Sequence, residues 1–512
     1  MTQLKKLPIG MQTFRDIREE NYLYVDKTDF IAKLVESGKY YFLARPRRFG
    51  KSLLVSTLQA LFEGHEELFR GLAIHDQWDW SVSHPVIKIS FGGVGRDLAD
   101  MKKMVRGILR SNQDRLQVTC QSLDDGGVCL RELIEQVYKK FGQKVVILVD
   151  EYDKLIVDNL DQVEVAKQGR EVLKDLYSTI KDSDEYLKFA LLTGVSKFSK
   201  VSIFSGLNNL KDISLDPRYG SLCGYTQNDL ETVFADHLQG VDMERVRQWY
   251  NGYNFLGEPV YNPFDVLLFI DSGQVFDNYW FGTGTPSFLI KLIRQNNYFI
   301  PKLDSLRVSS RLIDSYDIEQ IELEPILFQT GYLSIKDAEE TDFGREYGLR
   351  FPNKEVAISF NDVLIRYLTN ESNVLPVKKD LLASLKQADL NFFKEILISL
   401  FASIPYNNYV NNVIGSFEGY YASVIYAYLA SLGLDLTAED VTNKGRIDLT
   451  VKLGEHIYII EFKVDGKGLA LDQIKLKNYP QKYQNEGKTI YLIGIDFDSH
   501  EKNVTGFEWE KV

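Results

Sequence analysis

Residues 40–52, with the sequence YYFLARPRRFGKS, decide the fold of the first part of the chain. Tyr40 to Ala44 form an unbroken apolar run, which predicts a buried strand, and Ser52 to Glu63 have the spacing of a helix. Further buried strands are predicted at 85–91, 144–150 and 187–194, and a further helix at 163–181. Because buried apolar strands alternate with helices, we predict an α/β fold with a parallel sheet.

The turn between that strand and helix, Arg45 to Ser52, matches a phosphate-binding loop except at its first position. The general pattern is Gly, four residues and Gly-Lys-Ser/Thr, and this chain has Arg45 in place of the first glycine. The N–H groups of such a loop and of the helix that follows surround phosphate oxygens. We therefore predict that ATP is bound by Arg47, Arg48, Phe49, Gly50, Lys51 and Ser52. In this prediction Lys51 reaches the β- and γ-phosphates and Ser52 binds Mg²⁺. The alternative is an accidental Gly-Lys-Ser at a helix start.

A second apolar strand, Val145 to Val149, ends in the acids Asp150 and Glu151. A buried strand that ends in acids is typical of the metal and water site of ATPases with this kind of loop. We predict that Asp150 holds the Mg²⁺ and that Glu151 is catalytic, orienting the attacking water. Polar residues at the end of the next strand are candidates for a contact with the γ-phosphate: Thr193, Ser196 and Lys197. The alternative is a strand that simply stops at polar residues.

Two stretches of alternating apolar and polar residues near the C-terminus predict a hairpin. If Gly454-Glu455 is its two-residue turn, Asp448 lies directly opposite Glu461, with Cβ atoms about 5 Å apart. Lys463 shares a strand face with Glu461 because side chains alternate. Two carboxylates that close repel each other unless they share a cation, which predicts a Mg²⁺ or Mn²⁺ site that hydrolyses phosphodiester bonds. The alternative is a solvated strand face that carries a salt bridge.

Two further features lie near this hairpin in the sequence. Glu418 begins an apolar helix predicted at 417–431 and is a third candidate ligand for the same metal. Residues 467–488 carry a local excess of lysine in an acidic chain, which suits contact with a phosphate backbone. The candidates for this nucleic-acid contact are Gln473, Lys475, Lys477, Tyr479 and Lys482. The alternative is an ordinary amphipathic helix.

Length and composition bound these predictions. A chain of 512 residues corresponds to roughly three domains, which we place at 1–224 (ATP-binding), 225–400 (a helical middle region) and 401–512 (metal-dependent). The formal charge of −12 argues against a protein coated with nucleic acid but leaves room for a local site. The three cysteines are too few and too scattered for a disulfide framework and suit a reducing compartment. Because no secretory or membrane-spanning stretch is present, we expect a cytoplasmic protein without membrane contacts.

The motifs of the C-terminal part resemble those of the PD-(D/E)XK nuclease superfamily, and those of the N-terminal part resemble an AAA-ATPase-like domain. The C-terminal motifs are Glu418, Gly445-Arg446-Ile447-Asp448, Glu461-Phe462-Lys463 and Ala470-Leu471-Asp472-Gln473-Ile474. The N-terminal motifs are Tyr24-Val25-Asp26-Lys27-Thr28, the loop at 45–52, Ser205-Gly206-Leu207-Asn208-Asn209 and Trp249-Tyr250-Asn251-Gly252-Tyr253. In these relatives an arginine at the first glycine position is usual. The resemblance implies ATP binding and a C-terminal α/β domain of the restriction-endonuclease-like kind.

Three functions are compatible with these features. The first is an ATP-regulated, metal-dependent nuclease that cuts DNA, with defence against foreign DNA as one setting. The second is an ATP-switched binding or signalling protein whose nuclease-like domain only grips nucleic acid. The third is an NTPase with a structural C-terminal domain. The sequence favours the first function, and it leaves open the substrate preference and the formation of a homo-oligomer.

Overall fold

The computed structural model describes residues 4–512 except 94, 198–208, 281–288, 290–291, 294–298, 315–318, 320–321, 370–373, 405–417 and 467–468. The chain forms two compact units. The first contains Met1–Tyr279 and Val308–Tyr347, and the second contains Trp280–Arg307 and Gly348–Val512. The middle region predicted at 225–400 is therefore shared between the two units. Of the resemblance motifs, Ser205 to Asn208 lie outside the described residues.

The first unit alternates strands and helices along the chain. Its helices are α1 (Phe14–Glu19), α2 (Thr28–Ser37), α3 (Lys51–Phe62), α4 (Leu98–Leu116), α5 (Gly126–Phe141), α6 (Lys154–Val157), α7 (Val163–Asp182), α8 (Gln227–Thr232), α9 (Met243–Tyr250), α10 (Pro263–Asp271), α11 (Ser310–Asp314) and α12 (Leu323–Thr330). Its main strands are β1 (Tyr40–Ala44), β2 (Val86–Ser90), β3 (Val145–Asp150), β4 (Leu187–Gly194) and β5 (Lys211–Asp212). Three more strands, β6 (Arg307–Ser309), β7 (Ser334–Thr341) and β8 (Gly344–Arg350), form a small sheet in the order β6-β8-β7.

Strands β1 to β5 form one sheet in the order β2-β3-β4-β1-β5, and every pair is parallel. The residues of β1, β3 and β4 are apolar and almost wholly buried, as a parallel sheet with covered faces requires. The predicted α/β class and the predicted strands are confirmed, since each predicted range coincides with or contains an observed strand. Because β4 lies between β1 and β3, the carboxyl ends of these three strands meet at one edge of the sheet.

The second unit carries the C-terminal sheet. Its helices are α13 (Lys354–Thr369), α14 (Leu375–Gln387), α15 (Leu390–Ser403), α16 (Glu418–Ala430) and α17 (Leu469–Lys477). Its strands are β9 (Asp435–Thr442), β10 (Gly445–Leu453), β11 (His456–Val464), β12 (Thr489–Asp498) and β13 (Asn503–Lys511). They pair in the order β13-β12-β11-β10-β9, with β11 and β12 parallel and the other neighbours antiparallel.

The hairpin of β10 and β11 has the predicted register. Leu453 pairs with His456 and Leu449 with Ile460, so a two-residue turn joins the strands. Gly454 has a φ of 55° whereas Glu455 has a negative φ, as a type II′ turn requires. The backbone pairs end at Leu449 and Ile460, one step short of the predicted pair of Asp448 and Glu461.

Both faces of β11 and β12 are covered, which differs from the predicted contrast between an apolar face and a polar one. One face packs on α17 and the segment after it, through a cluster of Ile447, Ile457, Ile459, Leu471, Ile474, Tyr479, Tyr483, Ile490 and Leu492. On the other face, Phe497 packs with Phe462 and stacks on Tyr421 of α16 at 4.3 Å. Polar side chains that point from β11 toward α17 are therefore removed from water.

Helix α16 is the apolar helix that the sequence predicts at 417–431. Its tyrosines are buried inside the second unit, where Tyr420, Tyr421, Tyr426 and Tyr428 are each at most 8% exposed. None of the helices in the described part of the chain has the length and hydrophobicity that crossing a membrane requires. The apolar character of α16 is therefore explained by burial in the core.

Two of the three cysteines are paired, which differs from the expectation of cysteines that suit a reducing compartment and are too few and too scattered for a disulfide framework. Cys120 and Cys129 form a disulfide between the loop before α5 and α5 itself, with Cα atoms 5.3 Å apart. Cys223 is free and buried. The first two cysteines are nine positions apart in the sequence. The chain reverses direction where α5 begins, which brings the two residues together, and their spacing in the sequence does not reveal this.

Gly494 supplies a test of how α17 packs on the sheet. Gly494 pairs with Glu461, and a Cβ at Gly494 would lie 2.3 Å from the backbone nitrogen of Leu471. We expect Gly494→Ala to lower the free energy of unfolding of the second unit by about 1–3 kcal/mol, because the helix backbone must move away. Urea unfolding of the full chain measures the change.

Gly107 provides the matched control, because it is an exposed glycine inside α4 with open space around its Cβ position. Gly107→Ala should raise stability by about 0.5–1 kcal/mol, since alanine is the better helix former. Equal stability of the Gly494→Ala variant and the unmodified chain would contradict the close approach of α17.

Candidate functional site

The first candidate site is the loop between β1 and α3. The chain turns there through two residues with positive φ, Arg48 at 69° and Gly50 at 88°. Helix α3 then begins at Lys51, and its first N–H groups have no partner within the helix. A half-buried Ser52 lies in this first turn. The backbone therefore has the form that the sequence predicts for an anion-binding loop.

Lys51 is buried, and its ammonium lies over the loop. Its Nζ donates to the carbonyl oxygens of Arg45 at 2.9 Å and Pro46 at 2.8 Å. Burial lowers the pKa of Lys51, and the nearby carboxylate of Asp150 opposes that shift. The ammonium is thus fixed in a site with little water, where a phosphate charge would interact strongly with it.

Arg45, which stands where the general pattern has glycine, is a structural residue. Its guanidinium lies 3.9 Å from the ring centroid of Phe255 and donates to the carbonyl oxygens of Ser214 and Tyr219. Burial lowers its pKa to about 10, so the group remains charged at neutral pH. Arg45 thereby ties the end of β1 to the segment after β5, and its side chain points away from the loop's concave side.

The side chain of Phe49 has a packing role in the loop. Its ring is buried and packs edge-on against Tyr253 at 4.8 Å and Phe255 at 5.8 Å. This leaves the backbone of Phe49 for the predicted phosphate contact, which stays a prediction. The aromatic segment that contains Tyr253 supports the loop from behind, which sequence reasoning did not assign.

The two remaining loop arginines have different surroundings. The Arg48 guanidinium lies 3.8 Å from the ring centroid of Phe264, at the start of α10. Arg47 is exposed, with its guanidinium 3.5 Å from the carboxylate of Asp158. Both positive charges lie next to the loop, and Arg47 is the more exposed of the two side chains.

Asp150 lies at the end of β3, as predicted, and contacts the neighbouring strand. Its Oδ1 accepts a hydrogen bond from the Thr193 hydroxyl at 2.8 Å, at the end of β4. Glu151 follows with a φ of 54° and a half-exposed side chain, 3.9 Å from Lys154. The structure therefore brings Lys51, Asp150 and Thr193 to one edge of the sheet. Lys197 instead pairs with Asp212.

Asp153 is a buried residue that sequence reasoning missed. Its carboxylate accepts hydrogen bonds from the N–H groups of Val195 and Ser196. Burial raises the pKa of Asp153 to about 6, against the lowering effect of these bonds. The third acid in Asp150-Glu151-Tyr152-Asp153 was the available signal, and its role is to hold the loop that follows β4.

The second candidate site lies where β10 and β11 part. The Asp448 carboxylate reaches across the hairpin and accepts a hydrogen bond from the Phe462 N–H at 2.8 Å. This bond replaces the next backbone pair of the ladder, which explains why the pairs end at Leu449. Asp448 is half-buried.

Glu461 is fully buried beside Asp448 on the sheet. One of its carboxylate oxygens accepts a hydrogen bond from Gln473 of α17 and lies 3.7 Å from Lys463 Nζ. Lys463 also donates to the Phe462 carbonyl at 2.8 Å. Glu461 therefore does not lie on a solvated strand face, and that alternative is wrong for this residue. Gln473 and Lys463 take the place of water around its carboxylate, because a buried charge without partners is strongly destabilising.

Tyr479 is buried and contacts the backbone of β10. Its hydroxyl donates to the Arg446 carbonyl at 2.9 Å, and its ring is buried. Burial raises the pKa of Tyr479, and the charges of Glu461 and Asp448 raise it further. The predicted nucleic-acid contact at Tyr479 is therefore wrong, and the residue packs the site. Gly445 is required beside it, since a Cβ there would lie 2.9 Å from the hydroxyl oxygen.

A cavity of about 540 Å³ opens beside Asp448. Glu439 lines it from β9, with a φ of 51° and a carboxylate 2.7 Å from Arg446 Nε. Phe299 and Lys302 line it from a 3₁₀ segment far upstream in the chain. Sequence reasoning missed these residues, because no motif or spacing relates them to the hairpin.

The predicted metal ligands fit a divalent cation only in part. Asp448 and Glu461 with one lysine leave an excess of negative charge, which suits a hard cation. The side chain of Glu418, the third predicted ligand, lies outside the described residues. Among the side chains that are described, no group of three acidic, histidine or cysteine residues has the arrangement of a metal site.

The lysine-rich stretch after β11 is partly neutralised. Lys475 pairs with Glu510 at 2.5 Å, and Lys482 pairs with Asp440. Lys477 is exposed, and Gln473 is occupied with Glu461. The predicted phosphate-binding face at 467–488 is therefore weaker than its count of lysines indicates, because two of its charges have acidic partners.

Comparison with known proteins gives matches along nearly the whole chain. The family model described as "Predicted AAA-ATPase" matches residues 8–204, and that of the PD-(D/E)XK nuclease superfamily matches residues 416–507. A protein of Azotobacter chroococcum mcd 1, described as "Uncharacterized protein in vnfD 5'region", is 48% identical over an alignment of 514 residues that covers 99% of each chain. No solved structure matches at a significant level.

Arg45 gives a test of the loop's construction. We expect Arg45→Gly, which restores the general phosphate-loop pattern, to lower the free energy of unfolding by about 2–3 kcal/mol, because buried hydrogen bonds to a charged group are lost. Urea unfolding measures the change, and ATP binding should weaken with it. Arg47→Gly is the control in the same loop and should have a small effect on stability, since Arg47 is exposed. A stable, tightly binding Arg45→Gly variant would contradict the structural role of Arg45.

Proposed function

This chain belongs to the family of proteins that join an AAA-ATPase-like domain to a C-terminal PD-(D/E)XK nuclease superfamily domain, and on that premise we propose that it is an ATP-dependent DNA nuclease. The first unit would bind and hydrolyse ATP with Mg²⁺. The second would hydrolyse phosphodiester bonds with Mg²⁺ or Mn²⁺. An enzyme of this kind, gated by ATP, suits defence against foreign DNA.

The ATP site is supported by the three side chains that share one sheet edge. Lys51 lies over the loop, where it would contact the β- and γ-phosphates. Asp150 and Ser52 would hold Mg²⁺ between them, and Thr193 orients the Asp150 carboxylate. Glu151 would orient the attacking water, for which its half-exposed carboxylate is available. The Arg47 side chain and the loop N–H groups would complete the phosphate contacts.

The nuclease site is supported by one observation above others. The Asp448 carboxylate crosses to the β11 backbone next to the Glu461–Lys463 pair. Asp448 and Glu461 would hold the divalent cation, which activates water and stabilises the leaving oxygen when bound. Lys463 would position the water and balance charge, and Gln473 keeps the Glu461 carboxylate in a fixed orientation.

The second candidate is an ATP-switched nucleic-acid-binding protein whose nuclease-like domain does not cut. Glu461 is already engaged by Gln473 and Lys463, and the described side chains form no group of three metal-binding residues. A domain that had kept the fold but lost metal affinity would have these features. Cleavage measurements separate the two candidates directly.

Asp448→Asn tests the nuclease proposal. With Mg²⁺ or Mn²⁺, we expect the unmodified protein to cut DNA and the variant to cut at least about 100-fold more slowly, because a metal ligand and its charge are lost. Gel electrophoresis of labelled DNA measures the rates. Asp472→Asn is the matched control, since Asp472 is an exposed acid on α17 and should leave the rate unchanged. Undiminished cutting by Asp448→Asn would overturn the assignment.

Lys51→Met tests the ATP site and its coupling to cleavage. Methionine keeps the buried stem and removes the charge, so ATP affinity should fall about 10- to 100-fold, as expected for a charge-assisted contact. Calorimetric titration measures the affinity, with Lys33→Met in the exposed face of α2 as the control. If ATP has no effect on cleavage by the unmodified protein, the proposed gating is wrong even where ATP binds.

A further inference from the structure

The cavity beside Asp448 is built partly by a segment outside both matched domains. The 3₁₀ segment Ile300–Ser305 and the preceding Phe299 belong to the second unit, whereas the family models cover 8–204 and 416–507. The Phe299 ring lies against the start of α16, where a Cβ on Gly419 would be 3.2 Å from it. Gly419 therefore allows an aromatic ring from elsewhere in the chain to form one wall of the cavity.

The cavity wall carries both negative and positive side chains. Asp448 and Glu439 contribute carboxylates, and Arg446 is held in place by its ion pair with Glu439. Lys302 is exposed and contributes a second cation from the upstream segment. A phosphate would be drawn to Lys302 and Arg446, at the same wall that Asp448 lines.

The size and lining of the cavity limit what can enter. Its volume of about 540 Å³ lies within the roughly 300–1,000 Å³ of pockets that enclose a small ligand. A base held in a duplex could not enter a pocket of that size without leaving its stack. The half-buried Phe299 ring offers an apolar surface of the kind on which unpaired bases stack in single-strand binding sites.

We propose that this cavity binds one unpaired nucleotide of DNA, with Phe299 against the base and Lys302 on a phosphate. The inference rests on the proposed nuclease function, because Asp448 belongs to the same wall. It assigns the enzyme a single strand, or a strand end that can unpair, as its substrate. It also makes the upstream segment part of the substrate site. The two residues of this segment, Phe299 and Lys302, lie outside the range of the nuclease family model.

Binding of labelled DNA to the full-length protein in EDTA, where no cutting takes place, tests the proposal. A short single strand should bind at least about 10-fold more tightly than its closed, blunt duplex. Lys302→Gln should weaken single-strand binding about 3- to 10-fold and reduce the slope of log K against log salt by about 0.7, as expected for one lost phosphate contact. Lys379→Gln, an exposed lysine of α14, is the matched control and should change neither value.

Phe299→Leu tests the base contact separately. It should weaken binding of a normal single strand but not of an abasic strand, because only the former has a base to stack. Thermal unfolding checks that the variant folds, and Lys302→Gln keeps the proposal testable if it does not, since Lys302 is exposed. Equal binding of single strand and duplex, or wild-type binding by both variants, would overturn the proposal.

Cleavage assays keep this result distinct from the nuclease proposal. If the unmodified protein cuts DNA but Lys302→Gln binds normally, the nuclease function stands and the cavity assignment fails. If the unmodified protein cuts nothing but binds single strands in a Lys302-dependent manner, the cavity assignment stands without the nuclease function.

Discussion

Buried charged side chains are the constraint on which both candidate sites depend. Removing a charge from water costs several kcal/mol unless protein groups replace the lost hydration. Backbone carbonyls replace water around the charges of Arg45 and Lys51, and backbone N–H groups replace it around the carboxylate of Asp153. The side chains of Gln473 and Lys463 replace water around the carboxylate of Glu461. These charges also fix the segments that supply their partners, and two of them, Lys51 and Glu461, belong to the chemistry that we propose.

The parts of the fold that repeat a simple pattern could be predicted from the sequence. Mostly apolar runs predicted the bounds of β1 and β4 to the residue, because a strand buried on both faces needs few polar positions. The turn at Gly454-Glu455 set the register of the β10–β11 hairpin, since one glycine with positive φ fixes the loop length. These features depend only on residues that are close together in the chain, so a single sequence is enough to predict them.

The rest depended on contacts between distant segments. In the sequence, Arg45 is a departure from the general phosphate-loop pattern. In the structure, its guanidinium donates hydrogen bonds to residues about 170 positions later in the chain. Lys302 and Phe299 have no motif, and they join the cavity only because the fold brings them to α16 and β9. Tyr479 looked like a surface aromatic in a lysine-rich stretch, yet the packing of α17 buries it. Long-range packing of this kind leaves no periodic signal in a single sequence.

Backbone strain gives an argument for function that is separate from the motifs. Arg48, Glu151 and Glu439 have positive φ although none is glycine, and each lies at a candidate site. Other non-glycine residues with this conformation, such as Gln117 and Ala388, end helices, where it is the ordinary way to stop. No helix end explains the three site residues, and such strain persists only where the surroundings hold it, as the Glu439–Arg446 ion pair does. Leu256, Asp465 and Lys502 also have positive φ away from helix ends, so the conformation alone does not mark a site. What supports a role in function is that three such residues, all charged, lie at the two candidate sites.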